Sequence, residues 1–147
     1  GNFNHPKVNE LLKKHFIELR SVSPAGSTHV LDIDGLKNET IKFWSIWDNK
    51  DLIGCGAIKI LSKYDGEFKS IRVHDAFRRK SFGTEIIKIL IKEAQNLNIK
   101  QISIETGAGD FFIPARKLFK NCGFKPCEPF AHYTKDINSI YLTKLIS

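Results

Sequence analysis

The sequence predicts a single α+β domain spanning residues 1–147, built on a mixed sheet. Three observations predict it. Apolar residues recur at helical spacing near the start of the chain, three β-branched and aromatic runs follow one another from Ile41 to Val73, and helical and strand-like segments then alternate to the end.

Between His5 and Arg20, the residues Val8, Leu11, Leu12, Phe16 and Leu19 mark an amphipathic helix, with Pro6 acceptable in its first turn. The turn-rich stretch 21–27 leads to a short segment, Leu31 to Leu36, that reads as one or two helical turns. Ile41 to Trp47 and Leu52 to Leu61 are strands joined by the turn residues Asp48-Asn49-Lys50-Asp51. Glu67 to Val73, after the Asp65-Gly66 turn signal, makes a third antiparallel strand. Phe82, Ile86, Ile89, Leu90, Ala94 and Leu97 set out a helix of about four turns. Ile102 and Ile104 alternate in a strand from Lys100 to Thr106, broken by Gly107-Ala108-Gly109-Asp110. Pro114 to Cys122 is a helix stopped by Gly123, and Phe124 onward and Ser139 to Ile146 are two closing strands.

The composition bounds the function. Hydrophobic residues at 41% and charged residues at 27% exclude disorder, and no apolar run approaches the ~18 residues of a membrane span. A chain of this length buries roughly two-thirds of its unfolded surface, so it needs neither disulfide nor metal to fold. Three cysteines, an odd number, and the lack of a visible signal peptide suit a reducing cytoplasm. The five histidines show no ligand spacing, so no metal is expected. The chain has no methionine and starts at Gly1, which reads as a processed or trimmed chain. A net charge of +7 favours an anionic partner, yet the basic residues are spread along the chain apart from Arg78-Arg79-Lys80. Charge alone would also suit nucleic acid, a reading that predicts binding with a steep salt dependence; a solvated surface is the plainer alternative.

The stretch from Val73 to Thr84 carries the strongest chemical signal. A cationic turn feeding a helix start offers backbone N–H groups and a positive dipole end, which together suit a pyrophosphate. The backbone N–H groups of Phe82, Gly83 and Thr84 and the side chains of Arg78, Arg79 and Lys80 form that candidate cradle, with Ser81 placed to cap the helix.

The spacing Arg78-x-x-Ser81-x-Gly83 resembles the Q/R-x-x-G-x-G/A signature of the GNAT superfamily of N-acetyltransferases, with Ser81 in place of the usual glycine. In that superfamily the loop binds the pyrophosphate of acetyl-CoA. Ala115-x-x-Leu118-Phe119-x-x-x-Gly123-Phe124 is similar to the family's A-x-x-L-Y-x-x-x-G-F, the helix and turn flanking the thioester. The segments around Phe43-Trp44, Gly54-Cys55-Gly56-Ala57, Glu105-Thr106-Gly107 and Cys127-x-Pro129-Phe130 further resemble a subgroup of small bacterial GNAT proteins. The resemblance implies the GNAT fold: a mostly antiparallel mixed sheet with helices on both faces, its opening strand truncated or missing here.

What the resemblance implies for the site follows residue by residue. The main chain of Ile71, Arg72 and Val73 is expected to pair with the pantetheine arm, and Thr106 to touch it. Ala115 and Phe119 would flank the thioester, while Phe112 stands where the family's usual asparagine contact lies. Two carboxylates compete for the base, Glu67 and Glu105, and strand alternation would set Glu67 on the face of Ile71 and Val73. Phe119 replaces the tyrosine that protonates the leaving thiolate, which turns attention to Tyr133 or Tyr141. Cys122 sits in the last turn of a helix, where a thiol pKa is raised, so it reads as packing and not as a nucleophile. Trp44, Phe130, His132 and Tyr133 are candidate walls of an acceptor pocket, although most aromatics in a domain of this size serve the core. The resulting expectation is an acetyl-CoA-dependent N-acetyltransferase that transfers to a primary amine, with a small metabolite favoured over a protein. The alternative is a catalytically weak acyl-CoA-binding sensor or interaction module, for which Phe119 and Ser81 argue. Neither nucleic acid nor membrane is expected as a partner, and dimerisation through sheet edges stays open.

Overall fold

The computed structural model describes residues 5–22, 40–74, 82–130, 133 and 137–146. The short helical segment expected at Leu31 to Leu36 lies outside the described residues. Helix α1 (Pro6–Val22) leads to the antiparallel strands β1 (Ile41–Asp48), β2 (Asp51–Ile60) and β3 (Asp65–Val73). Helix α2 (Phe82–Asn96) connects β3 to the parallel strand β4 (Gln101–Gly107). A single 3-10 turn (Asp110–Phe112) opens α3 (Ile113–Asn121), and β5 (Lys125–Pro126) and β6 (Ser139–Leu145) close the chain. Among the described residues the sheet has six strands in the order β1-β2-β3-β4-β6-β5, with the β3/β4 pair parallel and the others antiparallel.

The expected elements form for identifiable reasons. Asn49 takes φ 56 in the β1–β2 turn, a left-handed conformation asparagine accepts readily. Gly123 at φ 96 ends α3 as glycine does past a helix C-terminus, and Lys144 Nζ donates to the Cys122 carbonyl there. The strand expected from Phe124 shrinks to two residues. Pro126 has no N–H to give a ladder, and among the described residues the Cys127 N–H bond to Tyr141 O, 2.9 Å, extends the pairing.

Two cores sandwich the sheet. On one face α1 buries Val8, Leu11, Leu12 and Phe16 against Ile41, Phe43, Leu52, Cys55 and Ala57. On the other, Ile86, Ile87, Leu90 and Ala94 of α2 and Phe119 of α3 pack on Ile58, Phe68, Ile102, Ile104 and Leu142. Each fully buried aliphatic side chain contributes about 1.5–3 kcal/mol. Helix α2 approaches closely because Gly56 has no side chain: a Cβ there would stand 2.4 Å from Leu90 Cδ1.

One feature of the sheet positions the site. Strands β3 and β4 pair over only three rungs, Asp65↔Gln101, Gly66↔Ile102 and Glu67↔Ser103, and then part. Beyond Glu67, β3 stays bonded to β2 and β4 stays bonded to β6, so a wedge opens in mid-sheet with Glu67 at its last shared rung.

Candidate active site

Strand β3 carries a bulge. Cys55 pairs with Arg72 and Ala57 with Lys69, so Ser70 and Ile71 together oppose Gly56. Ser70 accommodates the extra residue at φ 54, in the left-handed region. The bulge overturns the expected alternation. Glu67 and Lys69 point to the α1 face, whereas Ile71 and Val73 turn to the opposite face and pack against the α2 core with Phe68. Arg72 comes to the α1 face instead, buried, its Nη1 donating to Glu18 Oε2 at 2.7 Å. Its guanidinium therefore clamps α1 to the bulge, and the cofactor role expected of Arg72 concerns its main chain alone.

On the α1 face, Glu67 is the centre of a buried polar group. Lys69 Nζ donates to Glu67 Oε2 at 3.1 Å and to the Tyr133 hydroxyl at 2.9 Å, and that hydroxyl donates to Glu67 Oε2 at 2.6 Å. The three hydrogen bonds close a ring. The side chains of Lys69 and Glu67 are 7% and 1% exposed, so this is a buried ion pair tied by a phenol. Glu67 Oε1 is buried and accepts no hydrogen bond among the described residues. The ring thus commits one carboxylate oxygen and leaves the other open to a donor that enters the site.

Glu105 joins the same face from β4. It stands opposite Tyr141 of β6, and the rings of Phe130, Tyr133 and Tyr141 lie within 5.2–5.9 Å of one another in an aromatic wall. Burial first, then the Glu67 carboxylate and its hydrogen bond, then Glu105 and Tyr141, push the Tyr133 phenol far above the ordinary tyrosine range. Both candidate bases therefore act on one phenol. Tyr133, offered by the sequence as a proton donor, is held as a hydrogen-bond donor to Glu67 and parts with its proton reluctantly.

The other face of the wedge brings the two sequence motifs together. A Cβ on Gly83, at the start of α2, would lie 2.8 Å from Leu118 Cδ2 of α3, so the helix that carries the end of the first motif packs directly on the helix of the second. Phe82, Gly83 and Thr84 form the first residues of α2, half-buried there. Ala115 packs partly on the core, and Thr106 is buried near the end of β4. Phe112 lies over Gly107, where an added Cβ would stand 2.2 Å from its ring. Arg116 Nη1 holds the carbonyls of Gly107 and Gly109 at 2.8 and 2.9 Å, fixing the bend after β4.

Several sequence expectations are corrected. Trp44 packs with Ile46 against the α2 core, on the far side of the sheet from Glu67, because its position in β1 alternates away from the α1-facing Ile41 and Phe43. Phe119 is 4% exposed and meets Phe124 edge-on with centroids 5.4 Å apart, so it is a core residue and not a surface beside a ligand. Cys122 has a raised pKa as expected, but burial is the larger cause, with Lys144 and Lys88 working against it. Arg78, Arg79, Lys80, Ser81 and His132 lie outside the described residues.

Lys69 was missed. Opposite charges at i and i+2 on one strand face, Glu67 and Lys69, were the available signal. Nothing local announces Tyr133 as their partner, since it lies 66 residues from Glu67.

The family model described as acetyltransferase (GNAT) family matches residues 6–124. The uncharacterized N-acetyltransferase YsnE of Bacillus subtilis is 39% identical over 138 residues, 94% of this chain and 91% of the relative. A structure from Klebsiella pneumoniae, provisionally named an acyl-CoA N-acyltransferase, superposes with a TM-score of 0.81 at 20% identity, covering 99% of this chain and 93% of the other. An aminoglycoside 6'-N-acetyltransferase complexed with coenzyme A gives a TM-score of 0.71 at 14% identity, covering 100% of this chain and 95% of the other. With the α+β fold, the split sheet and the match across most of its length, the chain belongs to the GNAT family of acetyltransferases.

Proposed function

We propose that this enzyme moves an acetyl group from acetyl-CoA to the primary amine of a small molecule, with Glu67 as the base. The observation that carries the reading is the position of Glu67: it stands at the last rung shared by β3 and β4, buried, with Oε2 held by Lys69 and Tyr133 and Oε1 open. An acceptor arriving as an ammonium ion must lose a proton before its nitrogen can attack. Glu67 Oε1 is suited to take that proton, and Glu105 across the wedge adds a second negative charge that favours a cationic acceptor. The aromatic wall of Phe130, Tyr133 and Tyr141 suits an apolar body attached to the amine.

The residues present fit acetyl-CoA, which supplies an acetyl group activated as a thioester. The His74 N–H donates to Ile53 O of β2 at 2.7 Å, so by strand alternation the N–H of Val73 points to the opposite edge, into the wedge. That edge would pair with the pantetheine arm. The N-terminal end of α2 at Phe82, Gly83 and Thr84 offers its positive dipole to the pyrophosphate. Coenzyme A bound to a structural neighbour of the same fold supports this placement.

A second reading, an acyl-CoA sensor with little turnover, draws on the core position of Phe119, which supplies no proton donor at the motif position. One experiment separates the two. Acetyl-CoA is titrated calorimetrically into the wild type and Arg78→Ala, and thiol release is then screened over a panel of amines. Binding weakened in the variant, with turnover on an amine, supports the enzyme; binding without turnover across the panel supports the sensor; no binding refutes both.

A further inference from the structure

We infer that Lys69 is a positioning residue for the reaction: its buried ammonium, together with Tyr133, holds Glu67 Oε2, so that Oε1 is the oxygen that takes the acceptor's proton. This rests on the reading of Glu67 as the base. The side chain of Glu67 is 1% exposed, so solvent does little to orient it. Lys69 Nζ, 3.1 Å from Oε2, pairs it with an opposite charge.

The geometry gives the lysine a second task. Nζ bonds Glu67 Oε2 and the Tyr133 hydroxyl, and Tyr133 donates to that same Oε2. Among the described residues both donors converge on one oxygen and none on the other, which fixes the rotation of the carboxylate. The Tyr133 hydroxyl accepts from the lysine and spends its own proton on Glu67, so it orients the pair without adding charge. The bulge at Ser70 lies directly after Lys69, so the two charged side chains are the last α1-facing pair before the strand reverses its faces.

Among the described residues the hydrogen bonds to Glu67 Oε2 come from Lys69 and Tyr133, and the other charged or titratable groups of this face stand around that pair. Lys59 of β2 stands in register with Glu67, and Glu105 of β4 and Tyr141 of β6 face it across the wedge. Arg72 is engaged with Glu18 of α1 further along, and His15 is buried in α1.

The test is the crystal structure of Lys69→Met and Lys69→Arg in the full chain, beside that of the wild type. Lys69→Met keeps most of the aliphatic stem and removes the charge, and the Glu67 carboxylate is expected to turn away from the orientation it holds beside Tyr133; Lys69→Arg keeps the cation and is expected to keep that orientation. Lys69→Leu serves if the methionine variant does not fold, with the same turn expected. A carboxylate that keeps its orientation in the charge-free variant overturns the inference. Glu67→Gln in the amine screen tests the base separately: full activity there would refute the base while the structures still reported whether Lys69 orients the carboxylate.

Discussion

Replacing Lys69 by methionine removes one charge from a buried pair and leaves nearly everything else in place, which makes its cost calculable. The Glu67 side chain is 1% exposed and that of Lys69 7%, so solvent cannot replace the lost partner. Breaking such a pair on one side costs about 3–5 kcal/mol, because the remaining charge stays buried and unpaired or must pick up a proton. Against the 5–15 kcal/mol that stabilises an ordinary domain, roughly a third of the total is at stake. For a domain of this size the melting temperature is expected to fall by on the order of 10 °C. Glu67→Gln should cost a comparable amount by stranding the ammonium. The double variant, with neither charge, should cost clearly less than the sum of the singles, with a coupling of about 2–3 kcal/mol. Urea denaturation of the wild type, both singles and the double closes the cycle. A coupling under about 0.5 kcal/mol would refute the claim that the two groups form one buried unit.

Four further outcomes follow from particular contacts. Tyr133, with its folded-state pKa raised, keeps its proton where the unfolded chain gives it up, so the stability it contributes is complete below pH 10.0 and is lost as pH climbs above it. Phenolate absorbance should show one of the three tyrosines staying neutral in alkali until the chain unfolds, and Tyr133→Phe should flatten the alkaline loss of stability. Cys55, fully buried and pushed up to about 12, should resist a thiol reagent until urea unfolds the domain; native labelling as fast as at Cys122 would contradict its burial. Gly107→Ala places a Cβ 2.2 Å from the Phe112 ring and should displace it, weakening acetyl-CoA binding on the order of tenfold, read by calorimetry. Phe119→Tyr should lower stability by about 1–3 kcal/mol by burying a hydroxyl beside Phe124, with no gain in turnover; a faster enzyme would show that the position reaches the leaving group.

Much of this protein is legible in its sequence because local signals dominate there. The helix stripes at Val8, Leu11 and Leu12 and at Ile86, Leu90 and Ala94 point to the cores they enter, and Gly123 stops α3 where a positive φ is required. Glu67 and Glu105, the two carboxylates that the sequence singles out, both act on Tyr133. What escapes the sequence is set by long-range pairing. A serine at φ 54 is not a residue that announces a bulge, and without the bulge the faces of Ile71, Arg72 and Val73 are assigned the wrong way round. The side on which Trp44 packs depends on strand order, and the tie between Lys69 and Tyr133 spans 64 residues.

The bulge also explains why one strand can serve two purposes. Up to Lys69, β3 sends polar side chains to the α1 face and builds the ion pair there. A regular strand would continue by sending Ile71 and Val73 to that same face, placing apolar side chains in the polar cluster and directing Arg72 into the α2 core. The extra residue at Ser70 reverses the order: Ile71 and Val73 anchor the strand in the apolar core, and Arg72 is freed to bind Glu18 of α1. A bulge also increases local twist. The bulge at Ser70 follows the last shared rung at Glu67, so the irregularity that sorts the side chains is also suited to holding apart strands that have already parted there. On the reading proposed above, the inserted residue divides the strand between the polar side chains that carry the base and the main chain that faces the cofactor.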